Sequence, residues 1–405
     1  MSNLDALQAE MTAWRRALHR RPEFGFEETA TAAFVAGKLR EFGLDEVVEG
    51  VGGTGVVGTL KRGAGKRVLA LRADMDALRI AEQGEVEHKS ETPGLMHACG
   101  HDGHTTMLLG AAKRLAEEGG FDGTVRFVFQ PAEEWGRGAR AMLDDGLLAR
   151  FPFDEIYGLH NMPGLPTGQF ATRVGALMSA EDNFEIVLTG LGGHASRPHE
   201  LRETMVAACE LVVSLQRIVS RRLDANDIAV VSVTELLTDG ARNVLPGHAR
   251  ILGDIRSFAP EVSERVEREM RVIAAGIAQA HRLEVEVGYT REFVPLLNNA
   301  GATEEALAAA RAALGESRVS VAAAPITASE DFAQFLALRP GCFAFLGNGL
   351  DSKPLHNAAY DFNDEILMDG VRFYVELARR RLNPFSRLRV SGETKFPREV
   401  ARSAG

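Results

Sequence analysis

Three apolar runs of strand character each end in groups that bind metals or move protons. Residues 68–71 lead into Ala73-Asp74-Met75-Asp76, residues 124–130 into Pro131-Ala132-Glu133-Glu134, and residues 155–159 into His160-Asn161. Segments of helical periodicity separate the runs, so the pattern predicts an α/β fold built on a mainly parallel sheet. Ligands of such sheets sit in the crevice beyond the carboxyl ends of the strands. Acidic and imidazole groups placed there three times over constrain the fold and the position of its site together.

Between the first and second runs lies Met96-His97-Ala98-Cys99-Gly100-His101-Asp102-Gly103-His104. In an irregular segment Cys99 and His101, separated by a glycine, can turn toward one point, and thiolate and imidazole suit borderline-soft divalent metals. Residues 105–118 read as a helix with Met107, Leu108, Ala111, Ala112 and Leu115 on one face. Its positive N-terminal end would face Cys99 and lower the thiol pKa. A lone Cys-x-His is as often a buried thiol beside surface histidines, so partners are required from elsewhere. Glu133 and Glu134 are the natural ones. Outside a helix, adjacent side chains diverge, and one carboxylate can bind metal while the other takes a proton from water. A solvated acidic turn is the plain alternative, and the buried run and Pro131 that precede the pair argue against it.

A chain of 405 residues exceeds the usual size of a single core, which predicts two domains. The net charge of −10 and the lack of a basic stripe with interleaved aromatics exclude nucleic acid as a natural partner. No apolar run is long enough to span a bilayer, and the first residues read as an amphipathic helix, so a cytoplasmic protein is expected. Three widely spaced cysteines do not form a disulfide framework; Cys209 and Cys342 read as core packing. His19 reads as a structural residue. Residues 50–55 match G-x-G-x-x-G, but a strand follows instead of a helix, so the dinucleotide reading is rejected. The stretch reads as a turn into a hairpin whose second arm is 67–72.

From residue 179 the order becomes strand (184–188), glycine-rich loop (190–199), helix (201–221), strands (228–237 and 249–258), helix (261–282) and strand (283–287). This β-α-β-β-α-β order is ferredoxin-like. The expected organisation is a discontinuous α/β domain of residues 1–178 and 292–385, an inserted domain at 179–291, and a poorly ordered tail at 386–405.

The segments LRADMDAL, MHACGHDGHT, FQPAEE, GLHN, GGHASRPH, NVLP, ASEDFA and LHNAAYDFND, in order from about His19 to Asp364, resemble the M20 metallopeptidase superfamily. The likeness is to its amidohydrolase branch of hippurate hydrolases, N-acyl-amino-acid amidohydrolases and auxin-conjugate hydrolases. The resemblance implies a catalytic domain with two divalent ions (Zn, Mn, Co or Ni) and an inserted lid that forms a homodimer or higher homo-oligomer. It also implies hydrolysis of N-acyl amino acids of acetyl or benzoyl type. Position by position it makes Cys99, His101, Glu134, His160 and His356 the metal ligands, Glu133 the general base and acid, and Asp76 the residue that orients a ligand. By the same analogy His194 reaches the other subunit's active site to stabilise an oxyanion, and Asn243 and Arg256 contact substrate. Ala358 stands where relatives have Pro, and Trp135 either lines the acyl pocket or packs ordinarily. A dipeptidase or carboxypeptidase on the same centre is the nearest alternative, and a non-catalytic binding protein a more distant one. A zinc nucleobase deaminase fails for lack of Pro-Cys-x-x-Cys.

Overall fold

The computed structural model describes residues 3–383; the tail expected at 386–405 lies outside them. Eight strands form the main sheet in the order Glu46–Val51, Gly55–Arg62, Gly123–Gln130, Val68–Asp74, Glu155–Pro163, Gly341–Gly349, Phe170–Ala171 and Val319–Ser320. The four central strands run parallel. Glu46–Val51 and Gly55–Arg62 form an antiparallel margin, and Phe170–Ala171 is antiparallel to Gly341–Gly349.

Alternation within the strands explains the layering. Leu69 and Leu71 join a core on one face of the sheet and Ala70 joins a second core on the other, as the period of two requires. The first core takes the helices Asn3–Arg20, Thr29–Glu41, His101–Glu118, Ala300–Leu314 and Leu367–Arg381, and the second takes the shorter Gly138–Asp144 and Ala333–Leu336.

Four details differ from expectation. The helix expected over 105–118 begins at His101, because Gly100 turns the chain at φ +90° and the N–H groups of Gly103 and His104 bond back to the Gly100 carbonyl. Residues 67–72 are not the second arm of a hairpin with 55–62, since Gly123–Gln130 lies between the two strands. The connection is pinned elsewhere: Asp122 accepts from the N–H groups of Ala64 and Gly65, drawing it to the foot of Gly123–Gln130. The hairpin partner of Gly55–Arg62 is Glu46–Val51. Cys342 is buried as expected, but Cys209 is exposed, on the outward side of its helix. That helix, expected over 201–221, is divided into Met205–Leu215 and Arg217–Arg221.

A second sheet, antiparallel throughout, has the order Ala229–Thr238, His248–Ser257, Ala180–Thr189, Glu284–Phe293. The helices Met205–Leu215 and Pro260–His281 cover one face through a third core that includes Phe184, Ile186, Leu211, Ile251, Val266 and Met270. The Ala229–Thr238 edge exposes Val230, Leu236 and Leu237.

Gly103 sits where His101–Glu118 meets Phe362; a Cβ there would lie 2.2 Å from Phe362 Cε2. The ring is buried and cannot swing into solvent. Gly103→Ala is therefore expected to destabilise the fold by about 1–3 kcal/mol through overpacking, read as a lower denaturation midpoint in urea.

Candidate metal centre

The strand ends and the start of His101–Glu118 converge on one cavity of about 440 Å³ lined by Cys99, Glu133, Glu134, His160 and His356. One potential ligand atom from each of Cys99, His101 and His160 lies within 4.8 Å of the others; the same holds for Cys99, Glu134 and His356, and for His101, Glu133 and Glu134. The structure thus brings together all five residues expected as ligands, with Glu133 beside them.

Each donor is aimed by a partner. His101 Nδ1 is 3.2 Å from Asp76 Oδ1, which turns Nε2, itself without a hydrogen-bond partner, toward the centre. The second Asp76 oxygen accepts from the Glu134 N–H at 3.1 Å, so one carboxylate orients two donors. His160 Nδ1 donates to the Asn161 carbonyl at 2.6 Å, and its Nε2 stands 3.4 Å from Cys99 Sγ. His356, on a residue with φ +62°, is anchored by its N–H to the Ala98 carbonyl at 2.8 Å and reaches Glu134 at 3.3 Å. Glu133 and Glu134 occupy the short 3-10 turn Glu133–Trp135, so their side chains diverge.

The donor set requires positive charge at its centre. His101 Nε2 and Glu134 Oε1 are buried without a hydrogen-bond partner. Burial, with Glu134, Glu133 and Asp74 close by, pushes the Cys99 thiol well up. Burial alone would lower His101, but Asp74, Asp76 and Glu134 outweigh it and raise the imidazole to about 10. Burial and the carboxylates of Glu330, Glu134, Asp331 and Asp76 push Glu133 well above the usual range. Unpartnered donors and excess carboxylate around a buried thiol fit divalent metal ions.

The remaining expected residues divide. Arg256 lines the cavity, where it is already bound: Nη1 is 2.7 Å from Glu181 and 2.9 Å from Ser329 Oγ, and Nε is 2.9 Å from Asp254. His194 and Asn243 do not line it. They are exposed on the small ribbon Gly193–His194 and Val244–Leu245, where Asn243 offers its carbonyl to the Ala195 N–H. Trp135 is 41% exposed and meets Phe24 edge-on at 4.9 Å, outside the cavity lining.

Sequence reasoning named Asp74, His104 and Asn161 only as members of their motifs and did not foresee the buried polar layer they form with Arg72, Glu330 and Asp331. Arg72, Asp74, His104, Asn161, Glu330 and Asp331 are all buried. Asp74 is shared between Arg72 at 2.8 Å and His104 Nδ1 at 2.6 Å. The available signal was a charged residue, Arg72, inside an otherwise apolar strand.

A thiol, imidazoles and carboxylates around one cavity, with a further glutamate beside them, are the equipment of a metal-dependent hydrolase. The chain belongs to peptidase family M20/M25/M40, whose model matches residues 70–380. It is 41% identical over 376 residues to the hippurate hydrolase of Campylobacter jejuni, covering 93% of this chain and 97% of that protein. It is 36% identical over 375 residues to the N-acetylcysteine deacetylase of Bacillus subtilis, covering 92% and 97%. Among solved structures it is similar to the Bacillus subtilis YXEP protein, described as a dinuclear metal binding peptidase from the M20 family. That likeness has a TM-score of 0.84 at 33% identity, over 94% of this chain and 99% of that one.

His19 is the structural residue expected of it. Its Nδ1 is 2.8 Å from Asp102, and although burial lowers its pKa, Asp102 and Glu82 raise it to about 9. A raised folded-state pKa stabilises fully below the ordinary 6.5 and is lost as pH climbs through about 9. His19→Gln is therefore expected to be less stable than wild type near neutrality, and the gap should narrow at alkaline pH in urea denaturation series.

Proposed function

We propose that this protein is a metal-dependent amidohydrolase that cleaves the amide bond of N-acyl amino acids, of acetyl or benzoyl type, releasing a carboxylic acid and a free amino acid. The observation that carries this reading is the convergence of Cys99, His101, Glu134, His160 and His356 on a cavity where Glu133 stands beside the donor set. In it those five residues hold two divalent ions, Zn, Mn, Co or Ni, and Asp76 orients His101. The ions supply Lewis acidity, acidifying water and polarising the scissile carbonyl. Glu133 takes the proton of the attacking water and delivers it to the nitrogen of the departing amine. Met162, Met178, Phe293 and Phe345 in the cavity wall give an acyl group an apolar surface. Arg256 offers a guanidinium fork to the free carboxylate of the substrate, giving up Glu181 as it does so.

The remainder of the reading concerns the second sheet. Residues 179–291 act as an inserted ferredoxin-like lid, and the Ala229–Thr238 edge pairs two subunits into a homodimer or a higher homo-oligomer. His194 and Asn243, which do not line the cavity of their own chain, then serve the active site of the other subunit. No helix among the described residues is long and apolar enough to cross a membrane. The free thiols of Cys99, Cys209 and Cys342 suit a reducing compartment, and we place the protein in the cytoplasm.

Two experiments test these statements. Glu133→Ala should lower turnover of hippurate and N-acetyl amino acids by at least ~10²–10⁴-fold, with bound metal near the wild-type amount by elemental analysis. Turnover close to wild type removes Glu133 from its role, and faster release from dipeptides than from acyl compounds moves the activity to a peptidase. Mixing inactive His194→Ala subunits with inactive Glu133→Ala subunits should restore turnover, because each mixed dimer holds one complete site; no recovery from subunits shown to exchange would mean that His194 works within its own chain or not at all.

A further inference from the structure

Arg72 lies in the buried strand Val68–Asp74 with no exposed side-chain surface and is absent from the cavity lining. Its guanidinium reaches four partners: Nε donates to Gln130 Oε1 at 2.8 Å, Nη1 to Asp74 at 2.8 Å, and Nη2 to Glu330 at 2.9 Å and Asp331 at 3.2 Å. Glu330 and Asp331 belong to the segment ASEDFA, which the reading above leaves without a task.

We propose that Arg72, acting through Asp331 and Glu330, is a positioning residue that sets the place of Glu133. The path is continuous. Asp331 accepts from Gln130 Nε2 at 2.7 Å and from the Ala139 N–H at 2.9 Å. Gln130 ends the strand that leads into the Glu133–Trp135 turn, and Ala139 lies in the first turn of the helix that leaves it. The loop between them closes on itself through the Gly138 N–H and the Ala132 carbonyl at 3.1 Å. Arg72 and Asp331 therefore grip both ends of the nine-residue stretch, residues 131–139, that presents Glu133 and Glu134.

Charge supplies the second half of the argument. Carboxylate oxygens of Glu133, Glu330 and Asp331 lie within 4.8 Å of one another. Three buried carboxylates so close repel unless a cation lies among them, and removing that cation leaves unpaired buried charge. Arg72 is that cation, and the ring of Phe332 lies 5.7 Å from its guanidinium. A lysine keeps the charge but has no rigid fork and cannot hold four partners in fixed directions. The arrangement makes the location of Glu133 a property of the sheet below it instead of the loop alone.

This inference rests on Glu133 acting as the general base, so Glu133→Gln is measured alongside. The test is steady-state kinetics with hippurate, together with metal content and urea midpoints, for Arg72→Lys, Asp331→Asn and the double variant. Each single variant should lose ~10²-fold in kcat, the size of effect expected when a reacting group is displaced by about 1 Å. KM should stay within about threefold, and any loss of bound metal through the neighbouring Glu134 should be much smaller than the loss of kcat, because the main effect falls on the transition state. The double variant should be no worse than the poorer single one, since both break the same brace. A kcat near wild type in either variant, losses that multiply, or a kcat loss matched by loss of metal would each overturn the proposal. If Arg72→Lys does not fold, Asp331→Asn decides it by the same kcat, KM and metal criteria. Turnover in Glu133→Gln would sink the reading of the base, whereas an inactive Glu133→Gln with fully active brace variants would sink this inference alone.

Discussion

A buried charge persists in a protein only where opposite charge and hydrogen bonds answer it, and this molecule is arranged around that requirement. Arg72 sits among Asp74, Glu330 and Asp331. Arg15, also fully buried, holds Asp361 at 2.9 Å and Asp364 at 2.6 Å and lies 3.7 Å from Asp102. These sets join the first helix, the central strands and the C-terminal segments across the sheet. Between them lies the group that the protein leaves short of positive charge: Asp76, Glu133, Glu134 and the Cys99 thiol, with His101 as the main counterweight. The affinity for divalent cations follows from that deficit as much as from the identity of the donors.

Geometry at the strand ends turns the deficit into a site. Asp74 and Gln130 pair at the ends of their parallel strands, and His160 lies in the neighbouring parallel strand Glu155–Pro163, three residues before its end, so residues far apart in the chain reach one edge of the sheet. The His101–Glu118 helix adds its first residue to the same edge because Gly100 permits a left-handed turn directly before it. His356 arrives from the C-terminal part of the chain on another left-handed residue, held to the Ala98 carbonyl. Backbone conformations that are costly for a residue with a side chain are tolerated here because hydrogen bonds on both sides determine them.

The second sheet bears on the cavity through one cross-strand pair. Arg256 and Glu181 face each other in the register of their strands, and Arg256 also reaches Ser329, beside the Glu330 and Asp331 that bind Arg72. The wall of the cavity is thus made by both sheets, while His194 and Asn243 are not among its lining residues.

Much of this was legible in the chain. Alternating apolar runs that end in acids and imidazoles specify a mainly parallel sheet and the edge at which chemistry occurs, because strand periodicity and carboxyl-end placement are local properties. Cys99, His101, Glu133, Glu134 and His160 stood out because ligand-type side chains have few other reasons to follow buried strands or to cluster around a glycine; their roles, and the place of His356 among them, came from the resemblance of their motifs to the M20 superfamily. The neighbours of those residues could not be named. Arg72 reads as a stray charge until Glu330 and Asp331, some 258 positions away, fold against it. The pairing of Gly55–Arg62 was misread because adjacency in sequence does not reveal a strand inserted from residues 123–130. Cys209 was misplaced because an apolar helix does not state which of its faces is left uncovered. The sequence by itself determined the mainly parallel sheet, the segments that supply candidate donors and the edge of the sheet they gather at, since each depends on local pattern. Only the tertiary structure decided which buried charges balance one another and which are left for a metal, because that depends on distances across the sheet that no local pattern encodes.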